Sequence, residues 1–241
     1  MEVSEIGFTK DIISTIRNHS NRIPNYGVWA NPGYNENIFG GDIDIFVETI
    51  KDSFVWYALQ AKALQMNQRY EGLNTSSNGG FQWDKLHNLY LKAGCKTAYL
   101  LYNGVDQYKY SGLDSCNNPF NESQYGCSII SVEEFVRHYK LGKTSFKDYH
   151  PDYAEPWRVI VCCPQKLDGI ILYDTTVIKQ AISYYPESFG GAVDSIESAS
   201  EGSSNVDTNS ITSLSAQMNR TPYYRIVIRT TQGLKNIIRS K

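Results

Sequence analysis

Apolar and polar positions alternate along this chain in two different periods. In "FTKDIISTIRN", Phe8, Ile12, Ile13 and Ile16 fall on one stripe of a 3.6-residue period, which predicts an amphipathic helix over about residues 9–18. The span that follows, "HSNRIPNYGVWANPGYNENIFGG", is dense in Pro, Gly and Asn and reads as loop, ending at the Gly40-Gly41 pair. Period two then takes over. "DIDIFVETI" and "SFVWYALQAKAL" are rich in branched and aromatic residues and flank Lys51-Asp52, so they read as two strands of a hairpin. "FQWDKLHNLYLKAG" returns to a helical period, with Gln82, Leu86, Leu89, Tyr90 and Ala93 on one side and Gly94 as its stop. "KTAYLLYNG" is a short, almost wholly apolar run, as expected of a strand covered on both faces. Helix, two strands, helix and strand in this order predict an α/β domain in which an antiparallel hairpin feeds a parallel crossover.

Beyond residue 105 the pattern is looser. "VDQYKYSGLDSCNNPFNESQYGC" reads as a polar loop, and "SVEEFVRHYKLG" as a helix begun by Ser131 with Glu134 at capping-box spacing. "EPWRVIVCC", "DGIILYD" and "PYYRIVIRT" read as strands. The stretch "SIESASEGSSNVDTNSITSLSAQMN" is poor in aromatics and rich in Ser and Asn, which predicts a flexible segment over 192–219. The expected organisation is a core over residues 1–105 and an extension over 106–241 packed on or completing it, adding C-terminal α+β elements.

What breaks the apolar pattern is a set of polar residues inside the hairpin strands. Side chains alternate faces along a strand, so Asp42 and Asp44 share one face while Ile43, Ile45 and Val47 share the other; Gln60 and Lys62 likewise oppose Leu59 and Ala61. With a turn centred near residues 51 and 52, Asp44 is expected opposite residues near Gln60 and Asp42 opposite residues near Lys62. Buried charges are costly unless paired or metal-bound. One bland account makes the aspartates a charged edge strand that discourages aggregation, with Lys62 a surface lysine.

Composition narrows the field without choosing. The 241 residues are 41% hydrophobic and 20% charged with a formal net charge of −2. No apolar run approaches the roughly 18 residues of a membrane helix, and the opening "MEVSEIGFTKDIISTIRN" has no signal-peptide pattern, so a cytoplasmic protein with no membrane partner is expected. The charge balance argues against non-specific DNA coating and leaves a nuclease open. The five cysteines include no CxxC pair; zinc held by Cys116 and Cys127 with His138 or His150 is weaker than free thiols as a reading. Neither GxGxxG, GxxxxGK[ST] nor a GxSxG elbow is present, and nothing in the sequence links His87, His138 and His150.

Carboxylates are hard ligands, and Mg²⁺ needs only one or two of them when substrate phosphate oxygens complete its sphere. Glu36, Asp42 or Asp44, and the carbonyl of Gln60 are candidate ligands, with Lys62 beside them to assist the attacking water and offset transition-state charge. "GGDIDI" followed by "ALQAK" resembles the PD-(D/E)xK nuclease superfamily, the restriction-endonuclease-like fold, in its branch where glutamine replaces the second acid to give QxK. "ENIFGGD", and less closely "HPDYAEPWRVIVC", also resemble an uncharacterised family of that superfamily. The likeness covers about residues 5–104, and more vaguely reaches residue 163. It implies a restriction-endonuclease-like core with a mixed central sheet flanked by helices, and metal-dependent hydrolysis of nucleic acid, DNA foremost, with Mg²⁺ as cofactor and Mn²⁺ able to substitute. Lys62 takes the motif lysine position, Gln60 the replaced acid, Asp42 or Asp44 the strand aspartate, and Glu36 the upstream acid. The motif's proline is absent. Gln82 is expected either to bond a phosphate or to cap its helix. Arg69 and Tyr70, directly after the lysine strand, are expected to contact phosphate and to pack on a base or sugar, ordinary loop surface being the alternative. The rival to catalysis is a degenerate member retained as a nucleic-acid- or protein-binding module.

Overall fold

The computed structural model describes residues 5–20, 28–32, 41–50, 53–72, 74, 76–77, 80–93, 95–104, 109–162, 173–174 and 224–228. Helix α1 (Glu5–Ser20) is followed by strands β1 (Val28–Pro32), β2 (Ile43–Ile50) and β3 (Ser53–Ala63). A small hairpin, β4 (Ser76–Ser77) with β5 (Gly80–Phe81), leads into α2 (Gln82–Ala93) and then β6 (Lys96–Tyr102). Strands β7 (Ser111–Leu113), β8 (Pro119–Asn121) and β9 (Cys127–Ser131) precede α3 (Val132–Lys140) and α4 (Phe146–Tyr149). Strand β10 (Glu155–Pro156), helix α5 (Val159–Cys162) and strands β11 (Tyr173–Asp174) and β12 (Tyr224–Ile228) complete the described elements.

The centre is one mixed sheet in the order β1-β12-β2-β3-β6-β9-β10, with β11 added to the start of β3. β2 and β3 are antiparallel, and β3 and β6 are parallel across the α2 connection, so the hairpin does feed a parallel crossover. Both ends of the chain enter the same sheet, because β12 lies parallel to β2 and antiparallel to β1.

The hairpin register differs from the expected one. Ile43 pairs with Leu59 and Asp44 with Ala58, and a bulge between Glu48 and Ile50 absorbs the irregularity near the turn. The change of register keeps every side chain on its expected face but changes its partner. Asp42 therefore comes beside Gln60, and Asp44 does not.

Each face of the sheet has its own core. Phe46, Trp56, Ala58, Tyr99 and Leu101 pack under Trp83 and Leu86 of α2 and Phe135 of α3. Ile43, Ile45, Val47, Tyr57, Leu59 and Leu100 form the opposite layer, covered by Ile13 of α1 and by Val159 and Ile160 of α5. Every residue of β3 except Ser53 is buried, which excludes the solvent-facing strand as an account of its polar residues.

Several expectations in the second half change. The stretch read as polar loop contains the β7–β8 hairpin and a 3₁₀ turn over Glu122–Gly126. Asp114 organises it: its Oδ1 accepts from the backbone N–H groups of Cys116 and Asn118, and its Oδ2 accepts from Arg158 at 2.9 Å. "EPWRVIVCC" is not one strand. Pro156 ends a two-residue pairing with β9, and Ile160 and Val161 donate to the Trp157 and Arg158 carbonyls in a helical turn. A short apolar run satisfies either conformation, and here the turn buries Val159 and Ile160 against the α1 layer. β1 lies in a stretch read as loop; its partner comes from the far end of the chain. Ser131 does cap α3, accepting from the Glu134 N–H at 3.2 Å. The cysteines are not all free thiols, since Cys116 is disulfide-bonded while Cys95 and Cys127 are free. The segment 192–219 lies outside the described residues.

Candidate active site

The polar residues of β2 and β3 meet on the face covered by α2. Asp42 stands just ahead of β2, its N–H donating to the Leu59 carbonyl at 2.8 Å so that the strand pairing already holds its backbone. Its Oδ2 accepts two hydrogen bonds from β3, one from Gln60 Nε2 at 2.5 Å and one from the Ala61 N–H at 2.8 Å. The amide is thereby oriented. A carboxylate only accepts, so Gln60 gives its nitrogen to Asp42 and its oxygen gains no bond from that contact. That oxygen, Oε1, is buried and has no hydrogen-bond partner, in a residue only 1% exposed. An unmet buried carbonyl costs about 1–3 kcal/mol, so this one is a position where a cation or a donor is favoured.

Lys62 follows two residues along the same face and is buried. The chain leaves it through a tight excursion: Leu64 bridges to Tyr70, Gln65 N–H donates to the Arg69 carbonyl at 2.9 Å, and Gln68 N–H donates to the Gln65 carbonyl at 2.9 Å. It returns at Gly72, whose φ of +63° suits glycine and whose absent Cβ would stand 4.0 Å from Lys62 Nζ. The excursion is anchored in the core. Tyr70 is 2% exposed and its hydroxyl donates to Asn103 Oδ1 at 2.5 Å; Asn103 Nδ2 donates to the Tyr125 carbonyl at 2.7 Å and to Ser128 Oγ at 2.9 Å. Ser128 in turn bonds His150 Nε2 at 2.7 Å, while His150 Nδ1 bonds the Phe146 carbonyl at 3.0 Å. A carbonyl cannot donate, so Nδ1 carries the proton and Nε2 accepts from Ser128. Burial pushes the His150 pKa down to about 4, so the ring is neutral at pH 7.

Tyr70 is therefore not available to pack on a base or sugar, contrary to expectation; burial and the Asn103 bond make it a support for the segment beside Lys62. Arg69 is exposed, with its Nη1 donating to Thr144 Oγ1 at 3.4 Å. Asp44 is separated from the amide: its Oδ1 accepts from Trp56 Nε1 at 2.8 Å, and its charge, secondary to burial, raises the pKa of Cys95. Gln82 begins α2 and is buried. Glu36 lies outside the described residues. A further buried acid escaped the sequence reading: Glu48, 1% exposed, continues the alternation of Asp42 and Asp44 and is legible from that period alone.

Among the described residues there is no group of three His, Cys, Asp or Glu side chains able to hold a metal. Asp42 and the Gln60 carbonyl offer one carboxylate and one neutral oxygen. That donor set suits a hard ion that keeps its waters and shares phosphate oxygens, such as Mg²⁺, and does not suit one that needs a closed protein cage.

The model of a family of unknown function (DUF6615) matches residues 2–236. The chain belongs to that family. No curated protein and no solved structure matches it. The DUF6615 match spans the hairpin with Asp42, Gln60 and Lys62 and also β12, the strand that returns to flank β2. No helix among the described residues is long and apolar enough to cross a membrane.

Proposed function

We propose that this protein is a metal-dependent nuclease with a restriction-endonuclease-like core, hydrolysing phosphodiesters in nucleic acid, DNA foremost. The observation that carries the reading is the buried, unpartnered Gln60 Oε1, oriented by Asp42 and two residues from buried Lys62. The β2–β3 hairpin followed by the α2 crossover to parallel β6 supports it, because that arrangement puts the three side chains on one covered face.

Asp42 and the Gln60 carbonyl would hold Mg²⁺, or Mn²⁺ in its place, which supplies positive charge to the phosphate oxygens and acidifies water. By the resemblance alone, Glu36 would be the upstream acid. Asp42 also fixes the direction of the Gln60 oxygen. Lys62 places its ammonium where charge builds on the phosphoryl oxygens and helps align the water that attacks phosphorus. A new oxygen–phosphorus bond forms as the ester bond to the leaving sugar oxygen breaks; the attacking water gives up a proton to solvent and the leaving oxygen takes one from it. Arg69 contacts a neighbouring phosphate and sets the strand's approach.

The test is a cleavage panel of linear, circular and single-stranded DNA and of RNA, in Mg²⁺ and in Mn²⁺, with wild type, Asp42→Ala, Asp44→Ala and Lys62→Ala. Metal-dependent cutting that Lys62→Ala and Asp42→Ala abolish is the expected result. Binding without cutting by wild type in either metal would overturn it in favour of a nucleic-acid-binding module.

A further inference from the structure

A second buried polar atom, on the same sheet face as the candidate cation site, lacks a partner. Tyr99 of β6 is the registered neighbour of Gln60 on β3, and it belongs to the core layer of the same sheet face. Its ring is fixed by stacking on Phe135, with centroids 3.9 Å apart, and the residue is 0% exposed. Its hydroxyl oxygen makes no hydrogen bond. A tyrosine placed only for packing needs no hydroxyl, since phenylalanine fills the same space without a buried polar group.

Burial and nearby charges act on that hydroxyl. Its pKa is raised, first by burial and then by the charges of Tyr149, Asp42 and Asp84 in turn. Asp42 is therefore within electrostatic reach of the hydroxyl yet beyond hydrogen-bond distance. Two unpartnered atoms thus come from neighbouring strands, a carbonyl oxygen that only accepts and a hydroxyl that can do both, while Asp42 holds the Gln60 amide from the other side of β3. Each buried orphan is unfavourable alone, and one polar occupant between them relieves both. A lone water could do so, and so could the hydration shell of a cation.

We propose that Tyr99 is a positioning residue of the cation site, its hydroxyl hydrogen-bonding a water in the hydration shell of a divalent ion held by Asp42 and the Gln60 carbonyl. The inference rests on the nuclease reading of that site. It assigns the third core strand a part in the chemistry: β2 supplies the carboxylate, β3 the amide oxygen and lysine, and β6 the group that fixes how the ion's waters are presented. Partners that orient a metal's ligands typically contribute ten- to a hundredfold in affinity.

The experiment uses Mn²⁺ alone as probe, titrated into the full chain with binding read by electron paramagnetic resonance and the bound ion's waters read by water-proton relaxation. Tyr99→Phe keeps the ring and its stacking on Phe135, and thermal unfolding checks that the fold survives. The expected result is wild-type binding lost in Asp42→Asn, and roughly tenfold weaker in Tyr99→Phe with altered relaxation per bound ion. Equal affinity and equal relaxation in wild type and Tyr99→Phe would overturn the role of Tyr99 and leave the nuclease reading standing. Absence of Mn²⁺ binding by wild type, or binding indifferent to Asp42→Asn, would overturn both. A purely structural hydroxyl would move the unfolding temperature and neither metal readout.

Discussion

Gln60 donates its amide nitrogen to Asp42 across the β2–β3 pair at 2.5 Å, and this one bond leaves the amide oxygen buried and unpartnered. The contact explains how a glutamine can stand where the resembled motif has an acid. A second carboxylate there would face Asp42 as a like charge, and one of the two would take up a proton. The amide avoids that repulsion while still presenting an oxygen.

Gln60→Glu reverses this balance. Without metal the variant is expected to be less stable than wild type by about 1–3 kcal/mol, because the hydrogen bond to Asp42 becomes a carboxylate–carboxylate contact. With Mn²⁺ the gap narrows by about 1.4 kcal/mol, the second carboxylate raising affinity by about tenfold through added ligand charge. Denaturant unfolding with and without Mn²⁺ checks both arms.

Asp42 and Asp44 are expected to separate by function. Asp42→Asn should lower cleavage by about a hundredfold or more, as for loss of a group that stabilises developing charge. Asp44→Ala should leave cleavage within about tenfold but lower stability by about 1–3 kcal/mol, since Trp56 Nε1–H loses its buried acceptor. A double-mutant cycle with Trp56→Phe isolates the second effect: the pair should cost less than the sum of the single changes.

How much of this was legible in the sequence follows from the range of each signal. The period of two put Asp42, Asp44, Gln60 and Lys62 on one face, and the structure keeps them there. Which aspartate meets the glutamine was not legible, because the bulge between Glu48 and Ile50 shifts the pairing beyond the turn by one residue, and the turn alone does not announce it. Tyr70 shows the opposite failure. An aromatic after the lysine strand reads as surface until Asn103, Ser128 and His150, all distant in sequence, converge on it. β1 carries no local signal, since its pairing comes from β12.

His150 gives the fold a pH dependence. Its pKa is about 4 in the folded chain and about 6.5 when unfolded, so the neutral ring is favoured by folding. The stability this provides is fully present above pH 6.5 and is lost as pH falls from 6.5 toward 4. Between pH 7.5 and 5.0 the loss is about 2 kcal/mol. Urea unfolding at the two pH values should show it in wild type and show a smaller difference in His150→Gln.

Arg69 tests the approach of the substrate. Its exposed guanidinium should account for about one unit of the slope of log affinity against log salt. Arg69→Ala is expected to weaken DNA binding across sequences alike and to flatten that slope, measured by fluorescence anisotropy in EDTA, without changing the fold.

The most direct test of the central claim is conversion of closed circular plasmid to nicked or linear DNA by wild type and Lys62→Ala, side by side, in Mg²⁺ and in EDTA. The account predicts cutting by wild type in Mg²⁺ alone, and at least a hundredfold slower cutting by Lys62→Ala. Cutting that continues in EDTA, or that is equal in the two proteins, would contradict it.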